Sequence, residues 1–186
     1  KPTVILLNYG ANESFGGKAG LAGFLAGLDV LLATLDETGA RIVFLTPPPQ
    51  EKLPAPLPDP TEHNRDLKLY SDALLGVAAK RGALAVNLFD LLGKKLLPSS
   101  PLPLTDNGIH LTAYGYWRTA PAIEQGLGLE PRRWHIDVDA RSQNVSARGT
   151  TIRQARFTPQ GLGFRAQDDL LPLAPAPPGV PASVSD

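Results

Sequence analysis

The chain of 186 residues contains no cysteine and no methionine. The absence of cysteine excludes disulfides, thiolate metal sites and cysteine nucleophiles. It leaves the cellular compartment open, because a cysteine-free chain tolerates any redox environment. The three histidines, His63, His110 and His135, are too scattered for a metal-binding cluster. We therefore expect no metal site.

An excess of charge of one sign is also missing. Lysine and arginine together number 18, as do aspartate and glutamate, and the isoelectric point is about 7.0. Without a basic surplus, nothing indicates binding to nucleic acid or to an anionic membrane. The apolar runs look shorter than the roughly 18 uncharged residues that cross a bilayer, so we expect no membrane span. The composition favours a protein that acts on neutral or small substrates.

Position 1 is a lysine, and a strand of the kind found in protein cores begins almost at once. The sequence shows no signal peptide, so either a leader was removed or the chain is a piece of a longer protein. These features favour the hypothesis that the chain begins inside a domain, which an upstream segment of the same protein completes.

Three short apolar runs are typical of strands that are buried on both faces of a parallel sheet. They are TVILLNY (3–9), RIVFLT (41–46) and ALAVNLF (83–89). Helical periodicity covers 18–37, and a second helix runs from Pro60 towards the glycine at position 82. A last helix begins near Thr112. Strands that alternate with helices predict an α/β fold, with a parallel sheet covered by helices.

The pattern changes after about residue 130. From Trp134 onward, polar and apolar residues alternate, which predicts short antiparallel strands. The last segment is rich in proline and alanine and is typical of a linker or tail. We expect an α/β domain over 1–130, a small β appendage over 131–168 and a tail over 169–186.

Two loops bear side chains suited to acyl transfer. In an open parallel sheet, ligands bind at the carboxyl ends of the strands. GANE (10–13) follows the first strand, and DNGIH (106–110) lies between the third strand and the last helix. An asparagine amide can donate to a developing oxyanion. A histidine oriented by a nearby acid can take the proton from a serine hydroxyl.

These loops resemble the third and fifth blocks of the SGNH (GDSL-type) serine esterases and lipases, Gly-x-Asn-Asp and Asp-x-x-His. Residues 10–13 match the third block with Glu for Asp, and 107–110, followed by Leu-Thr and then Gly-Tyr, match the fifth. The connection 63–92 also resembles that of the family, and the resemblance extends to about residue 127. It implies a three-layer α/β/α, flavodoxin-like sheet, truncated at its N-terminus. It also implies an esterase without cofactor, acting on a small-molecule or glycan ester such as a carbohydrate O-acetyl group.

The resemblance assigns roles to the matching residues. Asn12 would donate to the oxyanion and His110 would be the general base. Gly10 and Glu13 would border the bound substrate, with Glu13 fixing the loop.

The family's acid lies three residues before the histidine, where this chain has Asn107. Asp106 is one position further away and could serve if the loop were longer than usual. Both residues remain candidates for orienting His110, and Asp106 is favoured.

The family's nucleophile lies in an N-terminal Gly-Asp-Ser block, and no serine of this chain follows Gly-Asp. We expect the nucleophile upstream of this chain, which alone would be inactive. No motif supports Ser14 as a replacement, and His63 is expected in the first turn of its helix without a functional role. The alternatives are a catalytically inactive binding module in a wall- or glycan-associated, hence extracytoplasmic, protein and a flavodoxin-like binder of small ligands.

Overall fold

A computed structural model describes residues 1–93, 102–129, 134–168 and 175–180. The chain divides into two compact units: residues 1–129 with 176–186 form one, and 130–175 form the other. Of the tail predicted over 169–186, only 175–180 lie within the described residues. The three-part division of the chain stays a prediction.

The first unit alternates strands with helices, as the sequence predicts. Its strands are β1 (Val4–Asn8), β2 (Arg41–Leu45) and β3 (Leu84–Val86), and its helices are α1 (Gly17–Asp36), α2 (Thr61–Lys80), α3 (Leu88–Gly93) and α4 (Ala113–Gly126). A short 3₁₀ turn, Glu13–Gly16, precedes α1. The strands are parallel in the order β1-β2-β3, with Leu6 opposite Val43 and Val43 opposite Leu84. The parallel α/β sheet is confirmed.

Helices cover both faces of this sheet, because successive side chains of a strand point to opposite sides. Phe44 of β2 lies on one face and packs against α1 and α2. Its neighbours Val43 and Leu45 lie on the other face, in a cluster with α3 and α4. The buried residues that α1 and α2 contribute are Phe24, Leu28, Leu32, Tyr70, Leu74 and Ala78. The three-layer arrangement places the ends of all three strands at one edge.

Strand β1 lies at the edge of the described sheet and is poorly covered. Val4 is 42% exposed and Leu6 is 53% exposed, although both are apolar. Leu6 is in register with Val43 and therefore shares its face, but Val43 is buried. Among the described residues, no strand pairs with the outer edge of β1. This edge and face are open to another element.

Among the described residues, the helical segment Glu13–Asp36 is long and apolar enough to cross a membrane, so the expected absence of a membrane span stays a prediction. This helical segment passes by length and composition, with a mean hydropathy of 1.6, and most of its hydrophobic window is exposed. A core helix passes the same test, and Phe24, Leu28 and Leu32 of this helix belong to the core.

Over its described residues, 134–168, the second unit contains two antiparallel hairpins. One pairs β4 (His135–Asp139) with β5 (Asn144–Arg148), and the other pairs β6 (Thr150–Thr158) with β7 (Gly161–Asp168). The predicted antiparallel structure after the α/β unit is confirmed, since the polar and apolar alternation has the period of half-exposed strands.

Candidate active site

The loop after β1 is closed by its own side chains. Gly10 has a φ of +107°, a conformation that favours glycine, and its N–H donates to Glu13 Oε2 at 3.0 Å. The N–H of Ser14 donates to Gly10 O at 3.0 Å. Glu13 is therefore bound to the loop backbone, in agreement with its expected role in fixing the loop.

On this loop the side-chain amide of Asn12 is available to bind a ligand. The side chain of Asn12 is exposed and makes no hydrogen bond within the part of the chain that the structure describes. Asn12 lines a cavity of about 420 Å³ that His110 also lines. The structure thus brings the predicted oxyanion donor and the predicted base to one cavity.

Apolar side chains form much of the remaining wall of this cavity. Phe15 comes from the first loop, Ile109 comes from the second, and Pro48 and Pro49 come from the loop after β2. Phe15 and Ile109 remain substantially exposed. Such a wall suits the acyl or ring portion of a ligand, with Asn12 and His110 as polar groups that fix its orientation.

Asn107, and not the carboxylate of Asp106, contacts the ring of His110. The Asn107 Oδ1 atom accepts from the N–H groups of Ile109 at 3.1 Å and His110 at 2.9 Å. This fixes the orientation of the amide and places Nδ2 2.9 Å from His110 Nδ1. The backbone N–H of Asp106 donates to His110 O at 3.0 Å. Its carboxylate makes no hydrogen bond among the described residues.

The Asn107 contact determines which ring nitrogen of His110 is protonated. An amide nitrogen is only a donor, so Nδ1 must accept, and the neutral ring then bears its hydrogen on Nε2. A histidine that takes a proton through Nε2 needs the opposite tautomer, with the hydrogen on Nδ1. The observed contact therefore opposes the tautomer that a general base acting through Nε2 needs.

The loop that bears His110 is held from the loop after β2. The Glu51 carboxylate accepts from the N–H groups of Leu104 and Thr105 at 3.1 and 2.7 Å, and from the Thr105 hydroxyl at 2.6 Å. The N–H of Glu51 donates to Gly108 O at 2.9 Å. Sequence reasoning missed Glu51, because no motif marks a glutamate that contacts residues more than 50 positions away.

Close packing against α4 fixes the same loop from behind. A Cβ atom on Gly115 would lie 2.0 Å from Leu104 O, so only glycine permits this approach. Thr112 caps α4 by accepting from the N–H of Gly115 at 3.0 Å. His110 consequently lies just before the start of a helix whose position against the loop is fixed.

A second histidine supports the loop of Asn12. Ser14 is fully buried, and its hydroxyl donates to Ala11 O at 2.7 Å. Its Oγ lies 3.3 Å from His63 Nε2, and the His63 ring stacks on Phe15 at 3.9 Å. Desolvation lowers the pKa of His63 below its usual 6.5, and the nearby charge of Asp66 opposes this shift. Sequence reasoning assigned His63 no role, since its partners lie far away in the chain.

The described residues contain no group of three or more histidine, aspartate or glutamate side chains that could hold a metal ion. The site's polar groups are instead hydrogen-bond donors and acceptors suited to an uncharged or anionic acyl group.

Comparison with known proteins identifies the family. Residues 1–118 match the model of the GDSL-like Lipase/Acylhydrolase family. No curated protein sequence matches this chain.

Among solved structures, BT4096, a gut microbial diltiazem-metabolizing enzyme, matches with a TM-score of 0.69 and 16% identity, over 92% of this chain and 43% of its own. Axe2, an acetylxylan esterase from Geobacillus stearothermophilus, has a TM-score of 0.56 and 19% identity, over 70% of this chain and 61% of its own. LAE5, an alpha/beta hydrolase enzyme from the metagenome of Lake Arreo, Spain, has a TM-score of 0.55 and 22% identity, over 69% of this chain and 61% of its own.

These structures share the fold of this chain, which spans less than half the length of BT4096 and about three fifths of Axe2 and LAE5. The family match includes both loops that line the cavity and extends over more than half of the 186 residues. The chain belongs to the GDSL-like lipase and acylhydrolase family, whose members are esterases of the SGNH type.

Proposed function

We propose that the natural protein hydrolyses an O-acyl ester through an acyl-serine intermediate, with Asn12 as the oxyanion donor and His110 as the general base. The observation that carries this proposal is the shared cavity. The unbonded amide of Asn12 and the ring of His110 line it together. An amide donor and an imidazole beside a single acyl group are the groups that ester hydrolysis requires.

In this reaction a serine hydroxyl attacks the carbonyl carbon of the ester and transfers its proton to His110 Nε2. For Nε2 to accept this proton, the ring must first bear its hydrogen on Nδ1, so the contact between Asn107 Nδ2 and Nδ1 has to open. The tetrahedral oxyanion accepts a hydrogen bond from Asn12 Nδ2. This bond is stronger to the oxyanion than to the neutral carbonyl of the substrate, so it stabilises the transition state more than the ground state. The intermediate then expels the alcohol, which takes the proton from His110. Water, deprotonated by His110, attacks the acyl-serine and releases the carboxylic acid.

The nucleophile in this proposal belongs to a segment upstream of the chain. Val4 and Leu6 leave an apolar face and an open edge at β1, and a parallel strand could pair there and cover them. The chain also spans only about three fifths of the length of Axe2. By contrast, Ser14 is an unsuitable nucleophile, because it is fully buried and its hydroxyl hydrogen is donated to Ala11 O.

The substrate class is an ester of a small molecule or glycan. Axe2 is an acetylxylan esterase, and by analogy of fold we propose a carbohydrate O-acetyl group as one substrate. The partly exposed aromatic ring of Phe15 at the cavity wall offers a surface for a sugar ring or an acyl chain.

The test is hydrolysis by the natural protein of p-nitrophenyl acetate and of acetylated xylo-oligosaccharides, with His110→Ala as the inactive control. Intact-mass spectrometry after mixing with the activated ester should show one acetyl adduct, and digestion should place it on a serine outside residues 1–186. The proposed esterase function would be refuted if the natural protein showed neither turnover nor adduct at protein concentrations that detect a single turnover.

A second candidate function is a catalytically inactive binding module, which the Asn107 contact favours. With its hydrogen on Nε2, His110 is a donor, as is the Asn12 amide, and two donors in one cavity suit an acyl carbonyl or carboxylate. Calorimetry with acetate and acetylated oligosaccharides would detect such binding. Binding that Asn12→Ala abolishes, without turnover, would favour the module over the enzyme.

We also propose an extracytoplasmic location, which a glycan ester substrate would require for a wall-associated protein. Fractionation of the source cells with an antibody against this chain tests it, and recovery in the cytoplasmic fraction alone would contradict it.

A further inference from the structure

We infer that His63 and Asn64 are positioning residues that hold the Asn12 loop and the His110 loop at the separation that catalysis requires. This inference rests on the proposed ester hydrolysis. Both residues lie in the first turn of α2, and neither lines the cavity. Each makes contacts to a different loop.

His63 holds the loop of Asn12 through Ser14. The Ser14 hydroxyl hydrogen is directed to Ala11 O, so Ser14 Oγ accepts from the Nε2–H of His63 at 3.3 Å. The His63 ring also stacks on Phe15 with an angle of 19° between the planes. Ser14 and Phe15 lie two and three residues after Asn12, so both contacts act on the short turn that presents its amide.

Asn64 holds the loop after β2 by a reciprocal pair of bonds. The N–H of Gln50 donates to Asn64 Oδ1 at 2.8 Å, and Asn64 Nδ2 donates to Gln50 O at 2.9 Å. The side chain of Asn64 thereby satisfies both backbone groups of Gln50, as a neighbouring strand would. The loop after β2, which otherwise contains three consecutive prolines, is fixed at this residue.

The residue after Gln50 transmits this position to the loop of His110. Glu51 binds Leu104 and Thr105 with its carboxylate and Gly108 with its N–H. Thr105 Oγ1 in turn accepts from the N–H of Gly108 at 3.1 Å. Two sets of hydrogen bonds, joined by the peptide bond between Gln50 and Glu51, therefore connect Asn64 to Gly108, two residues before His110.

Helix α2 is a rigid base for both connections. Leu67, Tyr70 and Leu74 follow about one, two and three turns after His63. All three are buried, and Tyr70 and Leu74 belong to the core cluster that contains Phe44. Because His63 and Asn64 are consecutive, they cannot move independently of each other. A displacement of about 1 Å between catalytic groups can lower turnover about 10²-fold, so such a base has a direct effect on rate.

The experiment compares His63→Ala and Asn64→Ala in the natural protein with Arg65→Ala as the matched control. Arg65 lies in the same turn, is exposed, and within the described part of the chain forms its one side-chain hydrogen bond with Glu62, in an exposed ion pair. We expect each of the two variants to lower kcat about 10- to 100-fold, with a much smaller change in KM. His63→Gln should recover most of the activity, because its amide can donate to Ser14. Arg65→Ala should match the wild type.

Deuterium exchange gives a readout that needs no turnover. His63→Ala should accelerate exchange over 10–16, and Asn64→Ala should accelerate it over 50–51 and 104–110. Losses in kcat no larger than that of Arg65→Ala, or unchanged exchange in these segments, would overturn the inference. If the wild type hydrolyses no ester, the proposed function fails, and the exchange data still decide whether the two residues hold the loops.

Discussion

The amide nitrogen of Asn107 lies 2.9 Å from Nδ1 of His110, at the position where an SGNH esterase has its aspartate. The oxygen of the same amide is held by the N–H groups of Ile109 and His110. Rotating the amide so that its oxygen faces the ring would break both of those bonds. His110 is therefore held in the tautomer whose Nε2 bears the hydrogen, and in that tautomer Nε2 cannot accept the serine proton.

Asn107→Asp is expected to increase kcat by up to about 10⁴-fold. Exchanging the acid of a triad for asparagine lowers turnover by about that factor, and this substitution is the reverse exchange. One carboxylate oxygen keeps the two backbone N–H donors, and the other accepts from Nδ1–H. Steady-state hydrolysis of p-nitrophenyl acetate by the natural protein measures this change. Nitrogen-15 NMR of the His110 ring should show the hydrogen moving from Nε2 to Nδ1.

Asp106→Ala is the control for this exchange. Since the Asp106 carboxylate makes no hydrogen bond among the described residues, its removal should leave kcat within about twofold, a small fraction of the triad-acid effect. A large loss with Asp106→Ala, together with no gain with Asn107→Asp, would identify Asp106 as the residue that orients His110.

Asn12→Ala should lower kcat by about 10²–10³ if the amide donates to the oxyanion. The midpoint of thermal unfolding should hardly change, because the side chain is exposed and makes no hydrogen bond within the described residues. Kinetics and calorimetry on the same preparation separate the two effects. An unchanged kcat would remove Asn12 from the oxyanion site.

Glu51→Ala should lower the free energy of unfolding by on the order of 2 kcal/mol, because it leaves donors of Leu104 and Thr105 without their charged acceptor. Lys52→Ala is the matched neighbour. Lys52 forms an exposed ion pair with Asp59, so its loss should cost less than about 1 kcal/mol. Urea denaturation measures both, and equal effects would contradict the role assigned to Glu51.

Acidification should destabilise the protein partly through His63. Desolvation lowers the pKa of His63 in the folded state below 6.5, so below pH 6.5 the unfolded chain binds more protons than the folded one. The contribution of His63 to the free energy of unfolding is therefore fully present above pH 6.5 and decreases as the pH falls towards the folded-state pKa. Urea denaturation between pH 5 and 8 should show a smaller pH dependence for His63→Gln than for the wild type. Identical slopes would contradict the prediction.

Leu6→Ser tests whether another element covers β1. If an upstream strand pairs with β1 in the natural protein, the substitution should cost about 2–4 kcal/mol, as in a core. If Leu6 stays half exposed, as in this chain, the cost should remain near 0.5 kcal/mol. Val30→Ser, on an exposed position of α1, is the surface control. A value for Leu6→Ser equal to that of Val30→Ser would contradict the proposed pairing.

Local pattern was sufficient for most of the fold. The predicted strand at 41–46 and helix at 18–37 correspond to Arg41–Leu45 and Gly17–Asp36, since burial on a sheet or on one helix face imposes a period on the sequence. The strand predicted over 83–89 is wrong at its end, because β3 ends at Val86. Asn87 accepts from the N–H of Asp90 at 3.0 Å and starts α3, where the sequence predicted continued strand. A short apolar run does not distinguish a strand from a buried helix.

The sequence by itself determined the order of the strands and the long helices, the family and the two loops that bear Asn12 and His110. Only the tertiary structure decided that Asn107 contacts the ring, that His63 supports Ser14 across 49 positions and that Glu51 holds Thr105 across 54. Periodicity and motif spacing report on contacts within one element. A hydrogen bond between loops depends on how the sheet and α2 place distant segments to within a few tenths of an ångström, and no local pattern records that distance.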